Sequence, residues 1–512
     1  MRPNRWDVFA WRLRVSEATR WYVSLAIVSA VYLYLNLFAS PGFPYLGGGD
    51  QVYFWMGALR ILHGQAIYRD FFQLTPPGTD LVYAACFRLF GESIWVPNLV
   101  VLTVGVFSTC LCFTLSRRFM GNTAALLVSG VFLVAIYGKP LNATHHWFAV
   151  LLILTAVRVA MKSITTRSIV LTAVLLALAT FFNHVHGMAA LLGFIVFLLL
   201  WSKRLNLSPA RIANIISTLI LTFSLSLVCV GGYYFVTVGF ERMWSCLVTS
   251  VFLYVTDNPR TLGLPAKLTS ATLLQLSPYL AMYILLPVAY GLSLWRCWRW
   301  RKDPSFPWNE MLLLSLVGLT LLLEVAICVD WLRLFAISMP GIVLAGAAIR
   351  EYRFLRRSLL VGTSIALISV ASCQIVKKHF VFQAKGDLPG GKLSATPEVY
   401  RKLQWIADHT HPKELLFQAG WPSVYLPLQV QNPLYIPTLS RWDSMRAQNV
   451  KDAVQQMKTY QVRYVLWTHH LDEGCEFPMC NDYLSPFRAY LSASFKPIRR
   501  FSDGDVLWQT WK

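Results

Sequence analysis

The chain has 512 residues, of which 56% are hydrophobic and only 14% charged, with a formal net charge of +21. An ordinary soluble protein is about 25% charged, so this composition excludes a purely soluble protein. The basic excess also fits no nucleic-acid surface, because the Lys and Arg residues sit in short loops between apolar runs.

Those runs approach the ~20 residues that cross a bilayer. They fall at 21–39, 93–116, 122–137, 146–161, 168–182, 188–202, 212–238, 276–295, 310–329, 334–349 and 358–376, which predicts eleven spans. If the N-terminus is cytoplasmic, the loops on that side carry 21 of the 46 basic residues, from Arg2 and Arg5 to Arg356 and Arg357. The loops on the other face, over residues 40–335, carry eight. This is the positive-inside bias. It predicts a multi-pass protein of the cytoplasmic membrane with its C-terminus outside. Residues 1–20 are polar and basic, and the first apolar run ends at Pro41 without a small-residue cleavage site, so it is expected to be a span and not a signal peptide.

Two outer loops are long, 40–92 and 239–275. In the first, Asp50 follows Gly47-Gly48-Gly49, and Tyr53, Phe54, Leu59 and Ile61 mark an amphipathic helix too short to cross. Pro76-Pro77-Gly78 then precedes a second such helix, from Asp80. After Lys377 span-length runs cease. Thr396-Pro397-Glu398 is a helix start, Lys451–Tyr460 a helix, and Leu415–Gln418, Pro433–Ile436 and Arg463–Trp467 are predicted strands. The domains are therefore a membrane domain over 1–376 and an extracytoplasmic α/β domain over 377–512. Of ten cysteines, eight lie in or beside spans, where packing explains them; Cys475 and Cys480 lie in the external region, where an oxidising compartment permits a disulfide. No P-loop, HExxH, GxSxG or CxxC pattern is present.

A basic N-terminus, one span, an outer loop opening on an acid, a short amphipathic helix, Gly64-x-x-x-Tyr68-Arg69-Asp70 and Pro76-Pro77-Gly78 follow in that order. The arrangement resembles the GT-C superfamily of membrane glycosyltransferases, in the bacterial branch akin to protein O-mannosyltransferases and lipid A aminoarabinose transferases. The resemblance covers topology over 1–376 and sequence mainly over 47–84. It implies an all-α polytopic membrane fold with about eleven transmembrane helices, interfacial helices in the first outer loop and a small C-terminal α/β domain. It implies transfer of a sugar from a polyprenyl-phosphate donor to a lipid, glycan or protein acceptor, with membrane lipids around it and no nucleic-acid partner. The family's first-loop acid corresponds to Asp50, which would be the catalytic base; capping the following helix is its competing role. Where family members often carry Asp-Glu, this chain has Asp50-Gln51, which weakens the case for a carboxylate metal site.

Asp70 is the second candidate acid, with a local ion pair to Arg69 as its alternative. His145 and His146, between spans three and four, and His184 and His186, between spans five and six, face the same side as Asp50 and are candidate sugar or phosphate contacts. Arg333 resembles a basic residue that the family places there, and Lys139 and Arg69 are further phosphate candidates; Asp330 offers Arg333 an ion pair. Glu324, a carboxylate within a span, needs a cavity or a partner. A divalent cation is a further candidate cofactor with no ligand set assigned. Two rival readings are a transporter or lipid flippase and an inactive scaffold of the same fold; transfer that depends on Asp50 separates them.

Overall fold

In the computed structural model, residues 17–257, 270–327, 330–349, 353–439, 447–472 and 483–511 are described. Arg2, Arg5, Arg12, Arg14, Cys475 and Cys480 lie outside them, as do the side chains of Arg353, Arg356 and Arg357.

Ten of the eleven predicted spans each coincide with a helix. In chain order these are α1 (Glu17–Leu37), then β1 (Phe38–Ser40) paired with β2 (Phe43–Pro44), α2 (Gln51–Leu62), α3 (Gly78–Phe90), α4 (Trp95–Ser116) and α5 (Asn122–Tyr137). There follow α6 (His145–Lys162), α7 (Thr166–Phe182), α8 (His184–Arg204) and α9 (Pro209–Val238). Three consecutive segments, Phe240–Trp244, Ser245–Thr249 and Ser250–Asp257, make up α10. The membrane part ends with α11 (Ser270–Arg299), α12 (Trp308–Ala326), α13 (Trp331–Ala336), α14 (Met339–Ile349) and α15 (Arg353–Val381). Among the described residues, eight helices are long and apolar enough to cross a membrane, and α5, α7 and α14 are shorter apolar helices. Leu221, Leu225, Val236, Val361 and Ile368 stand exposed on α9 and α15. Such apolar surface is stable only against lipid.

The tenth predicted span differs from expectation. Residues 334–349 divide into α13 and α14, because Pro340 supplies no amide hydrogen and the chain turns at Ser338, whose hydroxyl donates to Phe335 O (2.7 Å).

Beyond α15 come the hairpin β3 (Ala384–Leu388) and β4 (Gly391–Ala395), then α16 (Pro397–Ala407), β5 (Leu416–Ala419), α17 (Tyr425–Leu428), α18 (Ala447–Thr459) and β6 (Tyr464–Trp467). The chain closes with α19 (Ser485–Ser494), β7 (Phe495–Arg500) and β8 (Val506–Thr510). The sheet order is β5-β6-β8-β7, with β5 and β6 parallel. Thr396 caps α16 as expected, its hydroxyl accepting from Val399 N at 3.3 Å. Pro433–Ile436 is not a strand. Pro433 cannot donate, Asn432 Oδ1 takes the Leu434 amide (2.9 Å) and Gln456 Oε1 takes that of Tyr435 (2.7 Å). With the Leu434 and Tyr435 amides held by side chains, the segment forms no continuous ladder.

Its carbonyls bind the first outer loop instead. Phe72 N donates to Tyr435 O (2.8 Å), Tyr435 Oη to Tyr68 O (3.0 Å) and Arg60 Nη1 to Leu434 O (2.7 Å). The C-terminal sheet region is thereby docked onto α2 and the loop after it.

Candidate active site

A cavity of about 1220 Å³ lies where this docking meets the helix bundle. Asp50, Tyr53 and Phe54 line it from the start of α2, and Gln73, Leu74 and Thr75 from the loop before α3. His145 and His146 enter from the first turn of α6, and Asn183 and His184 from the start of α8. Arg242 comes from α10, Glu324 from α12, Asp330 and Arg333 from α13 and the turn before it, and Trp421, Tyr435 and Thr438 from the C-terminal region.

The glycine run explains how Asp50 comes to face this space. Gly49 has φ +74°, a left-handed conformation that a side chain disfavours. A Cβ on Gly47 would stand 2.7 Å from Gln51 Nε2 and 2.8 Å from Trp55 Cη2. The sharp turn sets half-buried Asp50 at the head of α2, and its side chain makes no capping hydrogen bond to the helix. Gln51 turns back, its amide donating to Gly48 O (3.0 Å), and does not line the cavity.

The predicted residues separate into two groups. Asp50, His145, His146, His184 and Arg333 are brought together on the cavity wall. Asp70, Arg69, Lys139 and His186 are not among its lining. Asp70 pairs with Arg69 (Oδ2 to Nη2, 2.9 Å) and accepts the Ala66 amide (2.7 Å), so it ties the loop in which Tyr68 adopts φ 67°. The Arg69 hydrogen bond, helped by that amide and the nearby positive charge, holds the Asp70 carboxyl below its ordinary value despite partial burial. Lys139 lies over the Trp331 ring at 4.1 Å, a cation–π contact. His186 is fully buried behind the wall.

A connected set of side chains lies at the histidine end. Glu324 Oε2 stands 2.7 Å from His186 Nδ1, His186 Nε2 3.0 Å from His146 Nδ1, and Asn183 Nδ2 3.2 Å from the same His146 nitrogen. His145 packs on His146 at 3.9 Å between ring centroids and on Phe54 at 5.4 Å. Arg333 Nε is 3.3 Å from Asp330 Oδ2, and the Asp330 side chain caps α13 through the Arg333 amide (2.9 Å). The ion pair weighed from sequence is therefore present, on the cavity wall. Among the described residues no three His, Cys, Asp or Glu side chains are grouped to hold a metal ion. His146 Nδ1 and His186 Nε2 are engaged with each other, and no step below runs through a metal ion.

Sequence reasoning missed Arg242, Trp421, Tyr435 and Asn183. Arg242 sits over the Tyr435 ring at 5.5 Å, and Trp421 meets Tyr53 edge-on at 5.0 Å. The signal for Asn183 was its place before a helical run, an N-cap position. The other three become visible only when the C-terminal region is docked. Asn142, in the Asn-Ala-Thr sequon, is buried and accepts the Trp147 indole hydrogen (3.0 Å), so it is no exposed acceptor of a glycan.

No protein-family model matches the sequence, and no curated protein matches it. Solved structures do match. ArnT from Cupriavidus metallidurans bound to undecaprenyl phosphate is 12% identical, with a TM-score of 0.59 over 96% of this chain and 98% of that one. The archaeal oligosaccharyltransferase AglB from Archaeoglobus fulgidus, in complex with an inhibitory peptide and a dolichol-phosphate, is 10% identical, with a TM-score of 0.53 over 96% of this chain and 74% of that one. An Archaeoglobus fulgidus oligosaccharyltransferase complex with Zn and sulfate gives 10% identity and a TM-score of 0.51, over 89% and 69%. The chain is a multi-pass membrane protein with the fold of the GT-C glycosyltransferases. At these identities the likeness is one of fold, and the chemistry must come from the residues of the cavity.

Proposed function

We propose that the protein is a glycosyltransferase that moves a monosaccharide, hexosyl or pentosyl, from a polyprenyl-phosphate donor to a lipid, cell-envelope glycan or protein acceptor. Its site would lie on the outer face of the cytoplasmic membrane. Residues 1–376 would form the catalytic membrane domain, with the N-terminus inside, and 377–512 an external domain; the asymmetry of loop charge supports that orientation.

The observation that carries the reading is one cavity lined by the Asp50 carboxylate and the Arg333 and Arg242 cations, between helix ends and the C-terminal sheet region. Two structures of the same fold are bound to undecaprenyl phosphate and to dolichol-phosphate, which supports a carrier of this class. The lipid tail stays in the bilayer while the phosphate reaches the cavity. Asp50 takes the acceptor's hydroxyl proton. The acceptor oxygen then bonds to the anomeric carbon, and the bond from that carbon to the phosphate oxygen breaks with its electron pair leaving on the phosphate. Arg333 and Arg242 stabilise the charge that develops there. Displacement in one step inverts the anomeric centre.

The test supplies purified protein with a panel of polyprenyl-phosphate sugars and a membrane-glycan extract, and follows free polyprenyl phosphate by mass spectrometry. Wild type is expected to release carrier and Asp50→Asn at least about 100-fold less, the usual scale for a lost general base. Equal release by both removes Asp50 as the base.

A further inference from the structure

The hydrogen bonds behind the cavity wall determine which protons the histidines carry. Asn183 caps α8, and its Oδ1 accepts the backbone amide of His186 at 3.1 Å. That bond orients the amide group, so Nδ2 is the atom that faces His146 Nδ1 at 3.2 Å. An amide nitrogen only donates. His146 Nδ1 must therefore present its lone pair, and the proton of a neutral His146 sits on Nε2.

The same constraint passes to the next ring. His186 Nε2, 3.0 Å from that lone pair, must carry a hydrogen. His186 Nδ1 faces Glu324 Oε2 at 2.7 Å. Asn183 and His186, with Glu324 beside the latter in the last turn of α12, so impose one pattern of donors on His146, a histidine of the cavity wall.

We propose that Asn183, His186 and Glu324 are positioning residues that lock His146 as a hydrogen-bond donor, and that its Nε2–H binds an oxyanion, the phosphate of the polyprenyl carrier. The proposal rests on the function given above and deepens it. A locked His146 cannot take a proton at Nε2, so it is not the base of the reaction, and it offers no Nε2 lone pair to a metal. Arg333 on the same wall supplies the charge, and His146 supplies a neutral, directional donor beside it. The other titratable groups around His146 are His145 on its own helix, His184 and His186 on α8, Glu324 on α12, Asp330 and Arg333 at α13, and Asp50 across the cavity.

Asn183→Asp tests the lock. Asp is an equally good N-cap and keeps the bond to the His186 amide. Its second oxygen, however, demands a hydrogen on His146 Nδ1. His146 Nε2 then carries a proton only while the ring is an imidazolium, and loses it as pH rises. The probe is undecaprenyl phosphate alone, titrated into full-length protein in detergent micelles between pH 5.5 and 8.5. The ratio of variant to wild-type Kd cancels the ionisation of the phosphate itself. The ratio is expected to exceed about tenfold at pH 8, the worth of one hydrogen bond to a charged group, and to shrink as the pH is lowered. A ratio that does not change with pH overturns the lock, because a purely structural role for Asn183 would weaken binding equally at every pH.

If Asn183→Asp does not fold, His146 itself decides. His146→Phe is expected to lose about tenfold in affinity at all pH values, and His146→Gln, which restores a neutral donor, to recover most of it. Equal affinities for the two overturn the proposal. Wild type that does not bind the lipid phosphate at all overturns the functional reading and the lock with it, whereas wild-type binding with a flat ratio overturns the lock alone.

Discussion

Replacing Asp80 by Asn should make the protein more stable from mild acid to mild alkali, with an advantage over wild type that grows as pH rises toward 8. Asp80 is fully buried at the start of α3, and both carboxyl oxygens accept from Gln73 Nε2, at 3.0 and 3.2 Å. Burial drives its pKa up to about 8, against the smaller opposing effect of the Gln73 hydrogen bond. The unfolded chain releases this proton near pH 4, while the folded chain keeps it until pH 8. Stability therefore falls from about pH 4 upward, at up to about 1.4 kcal/mol per pH unit, and levels off above pH 8. Between pH 6 and pH 8 the loss amounts to about 2 kcal/mol, after allowing for the bend of the curve near the pKa. The amide of Asp80→Asn has no such proton to lose. It sacrifices one accepted hydrogen bond, about 1 kcal/mol, at every pH. By pH 6 wild type has already lost more than the about 1 kcal/mol of that hydrogen bond, so thermal melts in detergent at pH 6, 7, 8 and 9 should show the variant above wild type throughout, with the gap widening by roughly 2 °C between pH 6 and pH 8 and then levelling off. A gap independent of pH would show that Asp80 is ionised throughout and that burial does not dominate its environment.

The same contact predicts the outcome of Gly57→Ala. A Cβ there would fall 2.0 Å from Asp80 Oδ1 and 3.5 Å from Phe71, so the substitution should cost about 1–3 kcal/mol, read as a lower melting temperature. Arg60→Met removes donors to Leu434 O and Asp70 O (2.7 and 3.0 Å) and the contact with Phe71 (4.7 Å). It strands buried carbonyls, so a loss of about 3 kcal/mol is expected, and limited proteolysis should cut first in the loop before α3 or around residues 430–439.

Much of the fold is legible because lipid imposes a simple rule. Backbone groups must be satisfied within each segment, so apolar length alone locates helices, and ten of the eleven predicted segments each coincide with one. Pro340 is the point at which a local chemical detail overrides length. In the C-terminal region the rule is weaker. β5 and β6 announce themselves as short apolar runs, but Pro433–Ile436 has similar composition and is taken out of the sheet by Asn432, Gln456 and the first outer loop. Its partners lie far away in sequence or on side chains, and no periodicity encodes them.

The site divides along the same line. Asp50 and the histidine pairs could be found because each lies at a helix start next to a predicted membrane boundary, so topology alone sets them on one side. Asp70 and Lys139 were expected on that side too, yet one closes a loop with Arg69 and the other lies on Trp331. Position relative to the membrane fixes depth and not direction. Arg242, Trp421 and Tyr435 had no sequence signal, since each acquires its place only when residues 421–438 fold back over α2. Glu324 was visible as an anomaly, a carboxylate within a span, and its partner follows from energetics: a charge at that depth needs a counter-group within the bundle. His186, fully buried and one helix away, is that group. His186, one of the four histidines expected to contact sugar or phosphate, thus stands behind the wall, and what reaches the cavity is the orientation it gives to His146.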